Sequence, residues 1–472
     1  MKIILMALDT LRYDHLGCYG HPMQTTPCLD RLAEEGVVFQ RHYSTDVPTP
    51  PAYTAMMTGR RGMRTGIFGF GHTNEPFDRS TPMLAQLLVE NGHRTGMISN
   101  LLYVFPWLVK GFHQISPPGL RFQGGTAEEV TAEACVWLDR HHAEDFFLFV
   151  HYWDPHQNYF NRAPEEYQKR FRKKDYTAIA PSGEYFKRNP MVYDQFRRYA
   201  KHNYHAKEDP AEVMPIYDAA IRYMDDSIAD LVAHMGKLGI DEDTLLMITS
   251  DHGEAFGERG FYDHLSCYEN ISHVPFIVRW PGGIRGGRKV EGYSMVTDIM
   301  PTLLDMSGAS LPEGMSGASL KQTLLEDVPT PHEEVVTDGA SMPIQRMYIR
   351  DDWALVHTLH RSIYEYLDTY ELFDIAADKA QEKNLAPQET GRFHEMRSAY
   401  DAWLDRELAG KPDRLQAVVH RGGGWCAGSV IRGFYENPAL YYENPAIREL
   451  LLHHLGQAAT ECYRKATASS AG

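Results

Sequence analysis

The chain lacks an apolar run long enough to cross a membrane. The opening stretch MKIILMALDTLRYD meets Asp9 after eight residues, whereas a bilayer span needs about 20 apolar residues and a secretory leader its own uninterrupted apolar core. No membrane partner and a cytoplasmic location are therefore expected. Cysteine is scarce: six residues (Cys18, Cys28, Cys135, Cys267, Cys426, Cys462), scattered and without a CxxC pair. That spacing excludes a disulfide scaffold and a thiolate zinc ribbon, and predicts reduced, structural thiols. Positive charge is also short, with 47 Lys and Arg against 63 Asp and Glu, a net charge of −16. A nucleic-acid polymer is thus not the expected partner, because backbone binding leaves a basic footprint. A small anionic substrate stays compatible, since a few cations can reverse the field inside one cleft. Repeats and low-complexity tracts are missing as well.

What is present is ordinary for a globular enzyme: 43% hydrophobic and 23% charged residues over 472 positions, enough for one large α/β domain and a smaller one. Lys2–Leu8, Thr95–Ser99, Phe146–Trp153, Thr244–Thr249 and Pro275–Trp280 read as short buried strands. Between them, Thr26–Glu35, Ser80–Asn91, Ala127–His141 and Val213–Leu238 have helical spacing, several closing at glycine. Alternation of this kind predicts a mostly parallel sheet covered by helices on both faces. Pro164–Pro210 is charged, aromatic and poorly periodic, and reads as an insertion over the active-site face. Beyond Leu311 the texture changes to short antiparallel strands (Glu334–Thr337, Met347–Arg350, Trp353–Thr358, Tyr364–Leu367), then helices near Phe393–Leu408 and Ala446–Lys465. The expected division is residues 1–330 for a catalytic α/β domain, 331–410 for an antiparallel-sheet subdomain, and 411–472 for an extension serving oligomerisation or active-site cover. Arg421-Gly-Gly-Gly-Trp425 reads as a linker, with a covering loop as the alternative.

Ligands of parallel sheets bind beyond the carboxyl ends of the strands. Three predicted strands end there in polar side chains: Asp9, then Asp154 with His156, then Asp251-His252-Gly253-Glu254. Adjacent carboxylate and imidazole at one strand end can reach a single divalent cation. A plain turn, with Asp251 capping a following helix, is the alternative. Asp9 leaving a second strand favours the metal.

These segments carry a resemblance. Asp9-Thr10-Leu11-Arg12-Tyr13-Asp14-His15-Leu16-Gly17, Thr49-Pro50-Pro51-Ala52 through Thr58-Gly59-Arg60, His151 with Asp154-Pro155-His156, Asp251-His252-Gly253-Glu254 followed by His264 and Val274–Val278, and Tyr370–Asp374 with Asn384-Leu385 resemble, in order, the motifs of the sulfatase branch of the alkaline phosphatase superfamily. The resemblance covers residues 1 to about 390. It implies an alkaline-phosphatase-like fold, a mostly parallel sheet sandwiched by helices with a smaller C-terminal α+β subdomain. It also implies metal-dependent ester hydrolysis.

One departure matters. Sulfatases carry Cys or Ser where this chain has Thr49, oxidised to formylglycine, and Arg where it has Tyr53. Threonine cannot make formylglycine, so none is expected, and the pattern is similar to that of nucleotide pyrophosphatase/phosphodiesterase relatives with an unmodified Thr. Those relatives have Asn where Ala52 stands, so one oxyanion donor is missing; backbone N–H groups at a helix start under Thr49 are the expected compensation. The resemblance implies Thr49 as nucleophile and as a metal contact, Asp9, Asp251 and His252 as metal ligands, and His264 as general acid. It also implies His156 as an oxyanion donor and Asp154 and Tyr53 as substrate-binding residues, Asp154 orienting His156 or holding a second metal. His151 and Arg60 are read as structural. An imidazole ligand favours Mn²⁺ or Zn²⁺, with Ca²⁺ as the alternative.

The expected function is hydrolysis of a small anionic phosphate mono- or diester, or phosphonate ester, through a covalent Thr49 intermediate. A sulfuric ester hydrolase working without formylglycine and a catalytically inactive ligand-binding homologue are the competing readings. A homo-oligomer is expected only by analogy with relatives.

Overall fold

The computed structural model describes residues 1–71, 74–119, 124–420 and 427–469; Arg421–Trp425 lies outside them. Its larger sheet has eight strands in the order β11 (Arg288–Met295), β2 (Val37–Tyr43), β10 (Phe276–Arg279), β7 (Thr244–Thr249), β1 (Lys2–Leu8), β6 (Phe146–Tyr152), β4 (Arg94–Ile98) and β5 (Gln114–Ser116). Only β10 runs antiparallel to its neighbours. The mostly parallel α/β expectation is therefore met.

β1 explains why the sheet forms. Ile3 through Leu8 are fully buried, flanked by β6 and β7 along almost the whole strand. Because side chains alternate, Ile4, Met6 and Leu8 enter the core on one face while Ile3, Leu5 and Ala7 enter the core on the other. Each large aliphatic side chain so buried is worth about 1.5–3 kcal/mol. One face is covered by α1 (Pro27–Glu35), α5 (Ala127–His141) and α9 (Pro210–Leu238), the other by α2 (Thr49–Thr58), α4 (Leu84–Glu90) and α11 (Ile299–Ser307). Register then sets the site: Leu8 pairs with Tyr152, and Ala7 with Thr249, so β1, β6 and β7 end at one level.

The smaller sheet has the order β15 (Tyr370–Asp374), β14 (Trp353–His360), β13 (Ile344–Arg350), β12 (Glu334–Ala340) and β3 (Asp46–Val47). The last four strands of the chain are antiparallel, but β3, just ahead of Thr49, joins them in parallel. The segment Tyr364–Leu367, expected as a strand, is instead a turn closed by the Leu367 N–H on the Tyr364 carbonyl at 3.1 Å; Tyr364 and Leu367 are buried there by packing and not by strand pairing. Ser80–Asn91 forms a helix only over Leu84–Glu90, because Pro82 and the turn bonds that Ser80 makes to Asp78 occupy its start. The expected terminal helix is broken at Gly456 into α17 (Pro445–Leu455) and α18 (Gln457–Ser469).

The 164–210 insertion folds into α6 (Glu165–Phe171), α7 (Glu184–Arg188) and α8 (Pro190–Asn203). On α8 rest α15 (Ala427–Glu436) and α16 (Pro438–Tyr442), tied by Gln195 Nε2 to the Tyr441 hydroxyl at 2.6 Å and by the Ser429 hydroxyl to Gln195 Oε1 at 2.6 Å. A buried charge network joins α14 (Arg414–His420) and its lead-in to the small sheet: Arg346 is fully buried between Asp338 at 2.6 Å and Asp413 at 2.8 Å. Among the described residues no helix is long and apolar enough to cross a membrane.

Candidate active site

Asp9 follows β1 directly, Asp251 and His252 follow β7, and all three are fully buried. Their ligating atoms lie within 4.8 Å of one another. No helix follows Gly253, so Asp251 caps none; its Oδ1 accepts the backbone N–H of Thr10, across from β1, at 3.0 Å. Thr10 adopts a positive φ of 60°, costly for a β-branched residue by about 1–3 kcal/mol. The conformation is held by Tyr217, whose hydroxyl donates to the Thr10 carbonyl at 2.7 Å, and by the Thr10 hydroxyl donating to Asp9 Oδ1 at 2.7 Å.

Asp9 Oδ2 receives two further donors. The Tyr53 hydroxyl lies at 3.2 Å, and His151 Nε2 at 3.2 Å. Ser99 Oγ, already accepting from Leu101 N, donates to His151 Nδ1 at 3.1 Å, which leaves Nε2 as the protonated nitrogen facing Asp9. Despite burial, the His151 hydrogen bond and the neighbouring histidines hold the Asp9 carboxyl well below the usual carboxylate range. Burial and the Asp9 charge push Asp251 well above that range. Two carboxylates in one dry pocket repel, and a cation removes the conflict.

His252 makes the same demand. Its Nδ1 faces the Gly253 carbonyl at 2.9 Å and must carry the proton, so Nε2 presents a bare lone pair. That lone pair faces Asp251 Oδ2 at 3.1 Å, an oxygen that accepts no hydrogen bond. Two acceptors aimed at each other fit a divalent cation between them. Burial and the neighbouring His264 charge lower His252 to about 3, so the ring stays neutral and able to ligate.

Thr49 Oγ1 lies 3.1 Å from His252 Nε2. The residue is buried at the first position of α2, a helix of wholly buried residues that ends at Gly59 in the left-handed region, φ 63°. The expected backbone donors are not there. Pro50 and Pro51 have no N–H, and the Ala52 N–H is engaged by the Pro48 carbonyl at 3.2 Å. Beyond the N–H of Thr49 itself, donors for an oxyanion must come from side chains.

Two imidazoles lie close by. His264 stacks on His252 with ring centroids 4.3 Å apart, and His156 lies 5.3 Å from His264. His264 Nδ1 sits 2.6 Å from Asp263 Oδ1 and 3.7 Å from Glu254 Oε1. Burial works against a charged ring, but these carboxylates prevail and hold His264 well above the usual histidine range. Glu254 itself is raised to about 7 by burial and accepts the Tyr159 hydroxyl at 2.5 Å. His156 is lowered to about 4, chiefly by burial, and its Nδ1 faces the Gln157 carbonyl at 2.8 Å. Asp154 is engaged elsewhere, accepting the Ala127 N–H at the start of α5 at 3.0 Å, its second oxygen without a hydrogen bond. Burial raises Asp154 to about 6.

The structure thus brings Asp9, Thr49, Tyr53, His156, Asp251, His252 and His264 into one buried cluster, with Asp154 at its edge. Tyr53 points its hydroxyl at the Asp9 carboxylate. Arg60 bonds the Glu313 carbonyl at 2.9 Å, a surface link away from the cluster. Sequence reading gave no role to Glu254, which it quoted within a motif, and passed over Asp263, which adjoins His264. It also passed over Arg162, whose Nε donates to the His156 carbonyl at 3.3 Å and whose charge acts on Asp154 and Asp9.

Residues 2–309 match the family model described as "Sulfatase", and residues 257–401 match "N-sulphoglucosamine sulphohydrolase, C-terminal". The chain is similar to an N-acetylglucosamine-6-O-sulfatase of Bacteroides thetaiotaomicron, 24% identical over 89% of each chain. It is also similar to the multifunctional alkaline phosphatase superfamily protein PehA of Trinickia caryophylli, 25% identical over 82% of this chain and 91% of that one. Among solved structures, the phosphonate monoester hydrolase of Agrobacterium radiobacter superposes with a TM-score of 0.70 at 20% identity, covering 88% of this chain and 97% of that chain. A protein solved in complex with its substrate D-glucosamine-2-N,6-O-disulfate superposes with a TM-score of 0.69 at 21% identity, covering 87% and 99%.

Proposed function

The chain belongs to the sulfatase family, and from that premise we propose that it is a metal-dependent hydrolase of small phosphoric or phosphonic esters with Thr49 as its nucleophile. The observation that carries this reading is the approach of Thr49 Oγ1 to His252 Nε2, 3.1 Å, beside two buried carboxylates. Asp9, Asp251 and His252 would hold the cation, and the mixed carboxylate–imidazole set favours Mn²⁺ or Zn²⁺ over Ca²⁺. A divalent ion there supplies Lewis-acid stabilisation of negative charge on the nucleophile and the ester.

The chain's own groups do the rest. Thr49 Oγ1, its proton given up to solvent, forms the bond to phosphorus in line with the departing oxygen. His264, kept cationic by Asp263 and Glu254, delivers its proton to that oxygen as the ester bond breaks. His156 donates to a non-bridging oxygen once the anionic ester stabilises a second proton on its Nε2, its Nδ1 proton being held by the Gln157 carbonyl. The neutral His264 then takes a proton from the water that attacks the phospho-threonine, the P–Oγ1 bond breaks, and the departing Thr49 oxygen recovers its proton from solvent.

Thr49 also favours one ester class. A formylglycine hydrate expels sulfate by elimination from its own carbon, whereas a sulfated threonine has no such route. The names of the curated relatives favour a second reading, a sulfuric ester hydrolase working without that elimination. Aryl phosphate, phosphodiester, phosphonate monoester and sulfate substrates, each assayed with and without Mn²⁺ or Zn²⁺, separate the two. Thr49→Ala should lower kcat on the phosphorus esters at least about a thousandfold. Sulfate turnover that survives Thr49→Ala would refute the nucleophile, and inactivity of the metal-loaded enzyme on all four would favour a binding protein.

A further inference from the structure

Asp9 carries three donors on one buried carboxylate. Its Oδ1 accepts the Thr10 hydroxyl at 2.7 Å, and its Oδ2 accepts the Tyr53 hydroxyl and His151 Nε2, each at 3.2 Å. A carboxylate offers about four lone pairs, shared between its two oxygens. The donors found among the described residues fill Oδ2 and half of Oδ1. Asp251 differs, since its Oδ2 accepts no hydrogen bond.

The two donors on Oδ2 are themselves held in place. β4, β6 and β1 lie side by side, and Ser99, His151 and Asp9 stand at or just past their carboxyl ends. A carboxylate only accepts, so His151 Nε2 carries its proton and Nδ1 receives the Ser99 hydroxyl at 3.1 Å. Trp153 and Tyr53 meet the His151 ring at steep angles, with centroids 4.6 and 5.1 Å away. Tyr53 follows Thr49 by four residues on α2 and so lies one turn along the same face. Its hydroxyl therefore ties the helix of the nucleophile to Asp9. Ser99, His151 and Tyr53 have no exposed surface.

Resting on the metal-dependent reading above, we propose that Tyr53 and His151, the latter oriented by Ser99, are positioning residues that select the cation by holding Asp9 to one-point ligation through Oδ1. Mn²⁺ and Zn²⁺ accept a single carboxylate oxygen beside an imidazole. Ca²⁺ gathers about six to eight oxygens and is served by carboxylates that bind through both. Filling Oδ2 with donors tells against Ca²⁺.

Ion binding tests this without turnover. The full chain, stripped with a chelator, is titrated with Mn²⁺ and with Ca²⁺ by calorimetry, circular dichroism reporting the fold. Tyr53→Phe and His151→Phe should each weaken Mn²⁺ about tenfold, and the double variant should weaken it further. Ca²⁺ gains the freed oxygen and should lose less than about twofold, so the preference for Mn²⁺ should fall at least about fivefold in each. General damage to the fold would weaken both ions alike. An unchanged preference, or Mn²⁺ affinity that survives the double change, overturns the assignment. Tyr53→Phe removes a single oxygen and decides alone if His151→Phe does not fold. A wild type that takes neither ion defeats the metal reading and this one together. A shifted preference in a protein idle on every phosphorus ester keeps the positioning pair and defeats only the hydrolase.

Discussion

At the residue scale the site is governed by which nitrogen or oxygen already has a partner. His151 is spoken for by Ser99 and Asp9, and His252 by the Gly253 carbonyl. His264 alone is embraced by carboxylates on Nδ1. Its folded pKa is raised, so the protonated ring survives at neutral pH and is lost only well to the alkaline side. Activity that needs this proton should hold through neutrality and fall as pH climbs past the raised value. His264→Gln should cost about a hundredfold or more on esters of weakly acidic alcohols. The variant should lose that alkaline limb, and lose far less on a nitrophenyl ester, whose anion leaves unaided. A pH–rate profile with both leaving groups reads the difference; equal losses on the two would remove His264 from the acid's role.

At the element scale α9 acts as a brace. Asp218, fully buried on it, accepts from His15 Nδ1 at 2.5 Å, His21 Nε2 at 2.8 Å and the Tyr176 hydroxyl at 2.6 Å. The loop after β1 is thereby clamped to the insertion. Burial opposes the Asp218 charge, yet the His15 contact prevails and depresses its pKa; burial depresses His15 as well. Both shifts have the same sign, since the unfolded chain binds more protons. Their stabilisation is present above the unfolded His value near 6.5, begins to fade as pH falls through it, and fades further below the unfolded Asp value. Asp218→Asn breaks the buried cluster and should cost about 3 kcal/mol or more. Denaturant melts at neutral and acidic pH should show the wild type falling toward the variant on acidification, and a constant gap would contradict the linkage.

At the scale of the whole molecule the smaller sheet and the first helix after residue 411 are joined by buried charge. Arg346 has no exposed surface and bridges Asp338 of β12 to Asp413 ahead of α14. Its guanidinium also stacks on Trp403, 5.5 Å from the ring centroid. Arg346→Met leaves two carboxylates facing each other without their cation, at a cost of about 3–5 kcal/mol. Calorimetry should show a clear fall in Tm, and the double change Arg346→Met/Asp338→Leu should regain part of it by removing one stranded charge. A melt unchanged by Arg346→Met would mean that this charge network does not hold α14 to the smaller sheet.

Local pattern was enough, from the sequence alone, for the α/β class, most strands and helices, and the residues able to grip a cation. Aliphatic runs ending in Asp9, Asp154 and Asp251 announce buried parallel strands with chemistry at their ends, because strand burial and strand polarity are both written in neighbouring residues. The motif order supplied the family, and the threonine at position 49 the departure from it. What only tertiary structure decided is which atoms face one another. Tyr53 turned to Asp9, Asp154 to α5, and Glu254 and Asp263 to His264. Such pairings depend on register and on helix packing across hundreds of residues, and hydrophobic periodicity specifies which face is buried without saying what it meets.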